Sequence, residues 1–123
     1  MAKKIVVVDD DTSIQDIFKI ILERAGYEVE LLNSNSIIGT IRYNVPDLFI
    51  LDKQLSGLDG LDICRHLKKQ SKTAFIPVIM VSANPNISTL AIEAGADDYI
   101  EKPFEMAHLL KKIRQHTERV PLH

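Results

Sequence analysis

Five short runs of mostly apolar residues, Ile5–Val8, Val29–Leu32, Leu48–Leu51, Val78–Val81 and Tyr99–Ile100, alternate along the chain with segments of helical spacing. Runs this short are strands, and strands apolar on successive residues must be covered on both faces. Their alternation with helices predicts an α/β fold, a parallel sheet with helices on either side. Right-handed crossovers leave few arrangements for five such units, and ligands in sheets of this kind sit beyond the carboxyl ends of the strands. A chain of 123 residues is enough for one domain with a genuine core.

The helices are marked by their apolar stripes. Ile14, Ile17, Phe18, Ile21, Leu22 and Ala25 recur at three- and four-residue spacing, with Thr12 and Gln15 as a capping box and Gly26 as the stop. Ile37, Ile38 and Ile41 mark a second helix that ends before Pro46. Leu61, Cys64 and Leu67 mark a third after Gly60. Ile87, Leu90, Ala91 and Ala94 mark a fourth, closed by Gly95. Met106, Leu109, Leu110 and Ile113 mark a fifth, with Pro103 near its start, where a missing N–H costs little.

Composition narrows the function more than it assigns one. A formal net charge of −2 offers no electrostatic reason to expect nucleic acid or an anionic membrane as partner. Cys64 is the only cysteine, so no internal disulfide and no thiolate metal cage can form, and its expected place is the core. Lys3 and Lys4 precede only Ile5–Val8 before acids begin, which is neither a signal peptide nor a membrane span. A cytoplasmic protein is expected.

The residues just after the strands carry the chemistry. Asp9 and Asp10 follow the first run, Asp52 the third, Ser82 the fourth, and Lys102 comes just past the fifth. Any one of them is explained by a chain leaving its core; five converging on one rim are not. Nothing comparable follows the second run, which puts that strand towards an edge. Carboxylates facing one another raise each other's pKa values unless a positive charge intervenes, and Mg²⁺, a hard ion that takes oxygen ligands and keeps room for phosphate, meets that need. A carboxylate beside Mg²⁺ and an ammonium is a good acceptor for a phosphoryl group. Asp52, the lone acid on a central strand end, is the candidate acceptor, with Asp9 and Asp10 as metal holders.

The segments "VVVDDD", "DLFILDKQLSGLDG", "VIMVSA" and "GADDYIEKPF", in that order, resemble the receiver domain of two-component response regulators over essentially the whole chain. The resemblance implies a flavodoxin-like doubly wound (βα)5 fold with strand order 2-1-3-4-5, an order for which a chemotaxis receiver is a standard example. It implies a single receiver domain over residues 1–123 with no output domain. Asp52 would take a phosphoryl group from a sensor histidine kinase or phosphotransfer protein. Mg²⁺ would be held directly by Asp10, Asp52 and the Gln54 backbone carbonyl, and through water by Asp9. Lys102 would contact Asp52 and then the phosphoryl group, ahead of a cis peptide to Pro103. Ser82 and Tyr99 would form the switch, and the face of the fourth helix, fifth strand and fifth helix would meet a downstream protein, with Asn86, Thr89, Glu101 and Lys111 as its expected exposed members. Such a protein is a switch rather than an enzyme, a monomer or a phosphorylation-dependent dimer. Asp11 is left to favour the amino end of the first helix.

Some positions depart from the family pattern. Ser56 stands where proline is common, Ser82 replaces the commoner threonine, and Gln54 and Asn84 occupy the variable positions that influence acyl phosphate lifetime. Pro85 is expected to constrain the loop after Asn84. Taken alone, Tyr99 also reads as a strand aromatic packed at an edge. His66, His108, His116 and His123 match no ligand spacing and read as surface residues. Three rivals stay open on the residues themselves. A Mg²⁺-dependent aspartyl phosphatase would want an acid where Gln54 stands. A flavin or nucleotide binder would want glycines in "DDDTSI". A non-phosphorylated interaction module would not need the acid set at all.

Overall fold

The computed structural model describes residues 2–33, 45–55 and 57–118. Along the chain they form β1 (Lys4–Val8), α1 (Thr12–Arg24), β2 (Glu28–Leu32), β3 (Leu48–Asp52), β4 (Gln54–Leu55), β5 (Leu58–Asp59), α2 (Gly60–Lys69), β6 (Val78–Ser82), α3 (Ile87–Glu93), β7 (Asp98–Glu101) and α4 (Met106–Thr117). β2, β1, β3, β6 and β7 lie side by side in that order, every pair parallel. Counting these five strands alone, the order is 2-1-3-4-5, the doubly wound flavodoxin-like arrangement. β4 and β5 form a separate antiparallel hairpin that the sequence pattern does not announce.

Side chains alternate across a strand, and here both faces are apolar. Val6, Val8, Phe49, Leu51 and Met80 pack on one side against Leu61, Cys64 and Leu67 of α2 and Ile87 and Ala91 of α3. Ile5, Val7, Ile50, Val81 and Ile100 pack on the other against Phe18 and Leu22 of α1 and Leu109 and Ile113 of α4. Each such side chain, fully buried, contributes about 1.5–3 kcal/mol of transfer free energy. Cys64 is buried in the first cluster, its thiol pushed up to about 11 chiefly by burial. Among the described residues no helix is long and apolar enough to cross a membrane.

The local signals need two adjustments. The cap of α1 is Asp11 rather than the pair Thr12 and Gln15. The Asp11 carboxylate accepts from the Ser13 and Ile14 N–H groups at 2.9 and 3.3 Å, while Gln15 turns its amide to the Leu32 carbonyl. Asp11 has the extended backbone that a cap requires, and a charged acceptor is also favoured by the helix dipole. Pro103 lies before the first turn of α4 rather than in it: the Lys102–Pro103 peptide is cis and Glu105 is the cap. Beyond these, the helix expected around Ile37–Ile41 and the substitution at Ser56 lie outside the described residues.

Gly60 shows how closely α2 is set against the central strand. A Cβ there would fall on the Asp52 carbonyl, well inside van der Waals contact, and crowd the Lys53 backbone. The Gly60 N–H donates to the Lys53 carbonyl at 2.7 Å, and Asp59 caps the helix by accepting from the Leu61 N–H at 2.9 Å. Because the colliding atoms are backbone, Gly60→Ala is expected to destabilise the fold by about 1–3 kcal/mol. Urea unfolding followed by circular dichroism checks this; stability equal to the parent's would mean that the start of α2 can move away from β3.

Candidate functional site

Parallel strands end on the same side, so the turns after β1, β3, β6 and β7 open onto one rim. Asp9 continues the ladder by donating its N–H to the Leu32 carbonyl at 3.1 Å, and its side chain is buried, with Oδ1 accepting from the Asp11 N–H at 2.9 Å. Asp52 is the last residue of β3 and only 8% exposed. Its Oδ1 accepts from the Gln54 N–H at 3.0 Å, and its Oδ2 accepts from the Lys102 ammonium, also at 3.0 Å. Lys102 is delivered there by its own N–H, which donates to the Ser82 carbonyl at 2.8 Å and extends the pairing of β7 with β6.

These groups border a cleft of about 490 Å³ whose walls include Asp9, Asp10, Asp52, Gln54 and Lys102. The structure therefore brings five of the seven expected residues together. Ser82 is buried behind the wall, its hydroxyl accepting from the Asn84 N–H at 3.0 Å. Tyr99 is half-buried on the far side of β7, packed against the cluster that α3 covers. Asp11, Ile14 and Ala83 complete the mouth, and Ile14, Ala83 and Lys102 are shared with a neighbouring, strongly apolar cleft of about 570 Å³ that also takes in Ile17, Pro103 and Phe104. That cleft went unseen in the sequence because Ile17 reads as a core residue of its stripe, yet it is 49% exposed.

His116 also departs from expectation. It is half-buried and pairs with Asp98 at 3.0 Å. The spacing of Lys112 and His116, one helical turn apart opposite the start of β7, was the signal for this contact.

The electrostatics of the cleft are unbalanced. Burial pushes the Asp9 carboxyl up to about 6, and the nearby Asp52 pushes the same way, against the Asp11 N–H and the more distant Lys102. Two buried acids and one ammonium leave a negative excess in a poorly solvated place. Among the described residues no three carboxylate, imidazole or thiolate groups already surround a common point. An ion held here would complete its shell with water or backbone oxygen, as Mg²⁺ commonly does.

The model of the response regulator receiver domain matches residues 5–114, and the chain belongs to that family, the receiver domains of two-component signalling. The fold is that of a response regulator from Chloroflexus aurantiacus, 32% identical, with a TM-score of 0.90 over 97% of this chain and 100% of that one. It is similarly close to the signal receiver domain of a histidine kinase from Syntrophus aciditrophicus, 31% identical, with a TM-score of 0.89 over 99% of this chain and 95% of that one. The receiver domain of a sensor histidine kinase from Pseudomonas aeruginosa, 24% identical, superposes with a TM-score of 0.87 over 97% and 100% of the two chains; that structure has a magnesium ion coordinated in its active site cleft.

The displaced Asp9 equilibrium gives stability a definite pH dependence. Folded Asp9 keeps its proton up to about pH 6, whereas the unfolded chain loses it near 3.8. In metal-free buffer its penalty is absent below the unfolded value, grows as pH rises through that interval, and is complete above it. Asp9→Asn is expected to flatten this part of the profile and to melt above the parent at neutral pH, as read by thermal denaturation across the interval. An unchanged profile would assign the slope to another group.

Proposed function

We propose that this chain is a phosphorylation-activated switch, with Asp52 accepting a phosphoryl group from a histidine kinase or phosphotransfer protein. The observation that carries this reading is the Lys102 ammonium at 3.0 Å from the Asp52 carboxylate, in a cleft also walled by Asp9 and Asp10. Attack by an Asp52 oxygen on the phosphorus of a phosphohistidine forms the acyl phosphate and breaks the P–N bond, whose electron pair returns to the imidazole. The protein's share of such chemistry is positioning and charge stabilisation. The Gln54 N–H and Lys102 orient the carboxylate, and Lys102 balances negative charge on the transferred group. The adjoining apolar cleft gives a protein donor ground on which to rest beside the acceptor.

The donor set fits magnesium, since it is all oxygen and includes a buried acid whose raised pKa a divalent cation would relieve. Asp10, Asp52 and the Gln54 carbonyl would hold it directly, and Asp9 through water; when bound it supplies positive charge for the phosphoryl oxygens.

A phosphoryl group brings up to about two negative charges and three acceptor oxygens. Ser82 leaves its contact with the Asn84 N–H to donate to one of those oxygens, and the space it vacates admits the Tyr99 ring. The state that makes these contacts gains population over the one that does not. The readout is the face formed by α3, β7 and α4, on which Asn86, Thr89, Glu101 and Lys111 are all exposed.

With acetyl phosphate and Mg²⁺ the parent is expected to gain one phosphoryl group by intact-mass measurement, and Asp52→Asn or added EDTA to abolish the gain. Lys102→Met is expected to slow it by about a hundredfold or more, the scale of losing one stabilising donor. No gain in the parent would overturn the switch reading. Sustained turnover of a small phosphomonoester would replace it with a phosphatase.

A further inference from the structure

We propose that Lys112 is a positioning residue for Tyr99: anchored by Asp98, its ammonium holds the aromatic ring in the resting orientation and so sets how readily the switch is thrown. The inference rests on the switch reading above and adds to it a residue that touches neither the acceptor nor the phosphoryl group.

Among the described residues β7 is an edge strand of the sheet, so one of its long sides is open. Asp98 and Ile100 share one face of the strand, and Ile100 packs into the cluster covered by α1 and α4. Tyr99 points to the other face, against the cluster covered by α2 and α3. Lys112, on α4, reaches round the open edge between the two layers. Its ammonium donates to Asp98 Oδ1 at 2.7 Å and stands 5.4 Å from the centre of the Tyr99 ring. That distance is within the range in which a cation is attracted to an aromatic face.

The anchor is itself well held. Asp98 also meets the His116 ring at 3.0 Å and accepts from the Tyr99 N–H at 2.8 Å. Burial alone would push its carboxyl up, yet Lys112, His116 and that N–H together hold it below the ordinary carboxylate value. Asp98 therefore stays ionised at neutral pH. A lysine on a helix surface normally samples many rotamers; one whose side chain is 19% exposed and pinned to a fixed carboxylate keeps its charge where the ring can feel it.

The state so held is the resting one. Ser82 still accepts from the Asn84 N–H and is absent from the wall of the acid cleft, while Tyr99 lies under Lys112. Turning the ring inward breaks its contact with the ammonium, so part of the stabilisation won at Asp52 is spent at the opposite edge of β7. Removing the contact lowers that cost and makes the active state easier to reach.

The test is a titration with beryllofluoride and Mg²⁺, a mimic of the aspartyl phosphate, on protein carrying fluorotyrosine, with the Tyr99 fluorine resonance assigned through Tyr99→Phe. Lys112→Met keeps the apolar stem and loses the charge. It is expected to bind beryllofluoride about two- to five-fold more tightly than the parent, the scale of one partly exposed cation–π contact. Its unliganded Tyr99 resonance is expected to move towards the liganded position. Lys112→Arg, which keeps a cation over the ring, is expected to restore both. A lysine that merely ties α4 to β7 would instead lower the melting temperature while leaving affinity and resonance at their parental values, and that result overturns the proposal. A parent that binds beryllofluoride without any shift of Tyr99 overturns it too, leaving Asp52 as acceptor. A parent that fails to bind overturns the acceptor reading and this inference together.

Discussion

The structure depends on a constraint of parallel pairing: strands that run the same way, covered on both faces, can bring polar groups together only where they end. Backbone hydrogen bonds are satisfied within the sheet, and helices fill both sides with apolar side chains. What remains is a rim at the carboxyl ends, where turns from β1, β3, β6 and β7 come out together. Asp9, Asp52, Ser82 and Lys102 are far apart in the chain and close in space because four strands deliver them to one edge.

That rim is electrostatically tense. Two buried acids share one nearby ammonium, and burial pushes the more deeply buried acid, Asp9, well above the ordinary carboxylate range. A group arranged for stability alone would be paired or replaced by something apolar, since burying charge costs more than an ion pair returns in many settings. Under the proposed function, keeping the acids would keep a place for incoming positive charge and, with Lys102, for a phosphoryl group. The same logic explains why the hydroxyl of Ser82 is engaged by its own loop. A buried hydroxyl without a partner would be costly, and the Asn84 N–H supplies one.

Much of this was legible in the sequence because it rests on periodicity and on strand ends. The five apolar runs became the five strands of the main sheet, and Asp9, Asp10, Asp52, Ser82 and Lys102 are read directly as the residues following them, while Gln54 came only with the family resemblance. What escaped was set by tertiary placement. Thr12 and Asp11 are both good cap residues, and only the backbone angles decide between them. The hairpin of β4 and β5 pairs just two residues on each side, too few to leave a pattern. Ile17 belongs to an apolar stripe wider than the sheet can cover. His116 finds its partner, Asp98, on another element, and only its one-turn spacing from Lys112 hints that it is more than a solvated histidine.

The contact between Gly60 and the Asp52 carbonyl separates the molecule into two regimes. With α2 set directly against the end of β3, and the Lys53 N–H donating to the Val81 carbonyl at 2.9 Å, Asp52 is fastened to the middle of the sheet and has little room to travel. Ser82 and Tyr99, the proposed switch pair, belong to β6 and β7, next to an edge that pairs with no other strand among the described residues. Under the proposed function, reception would fall to the centre of the sheet and transmission to its flank. On that reading, substitutions on the flank would retune partner choice and threshold independently of the chemistry at Asp52.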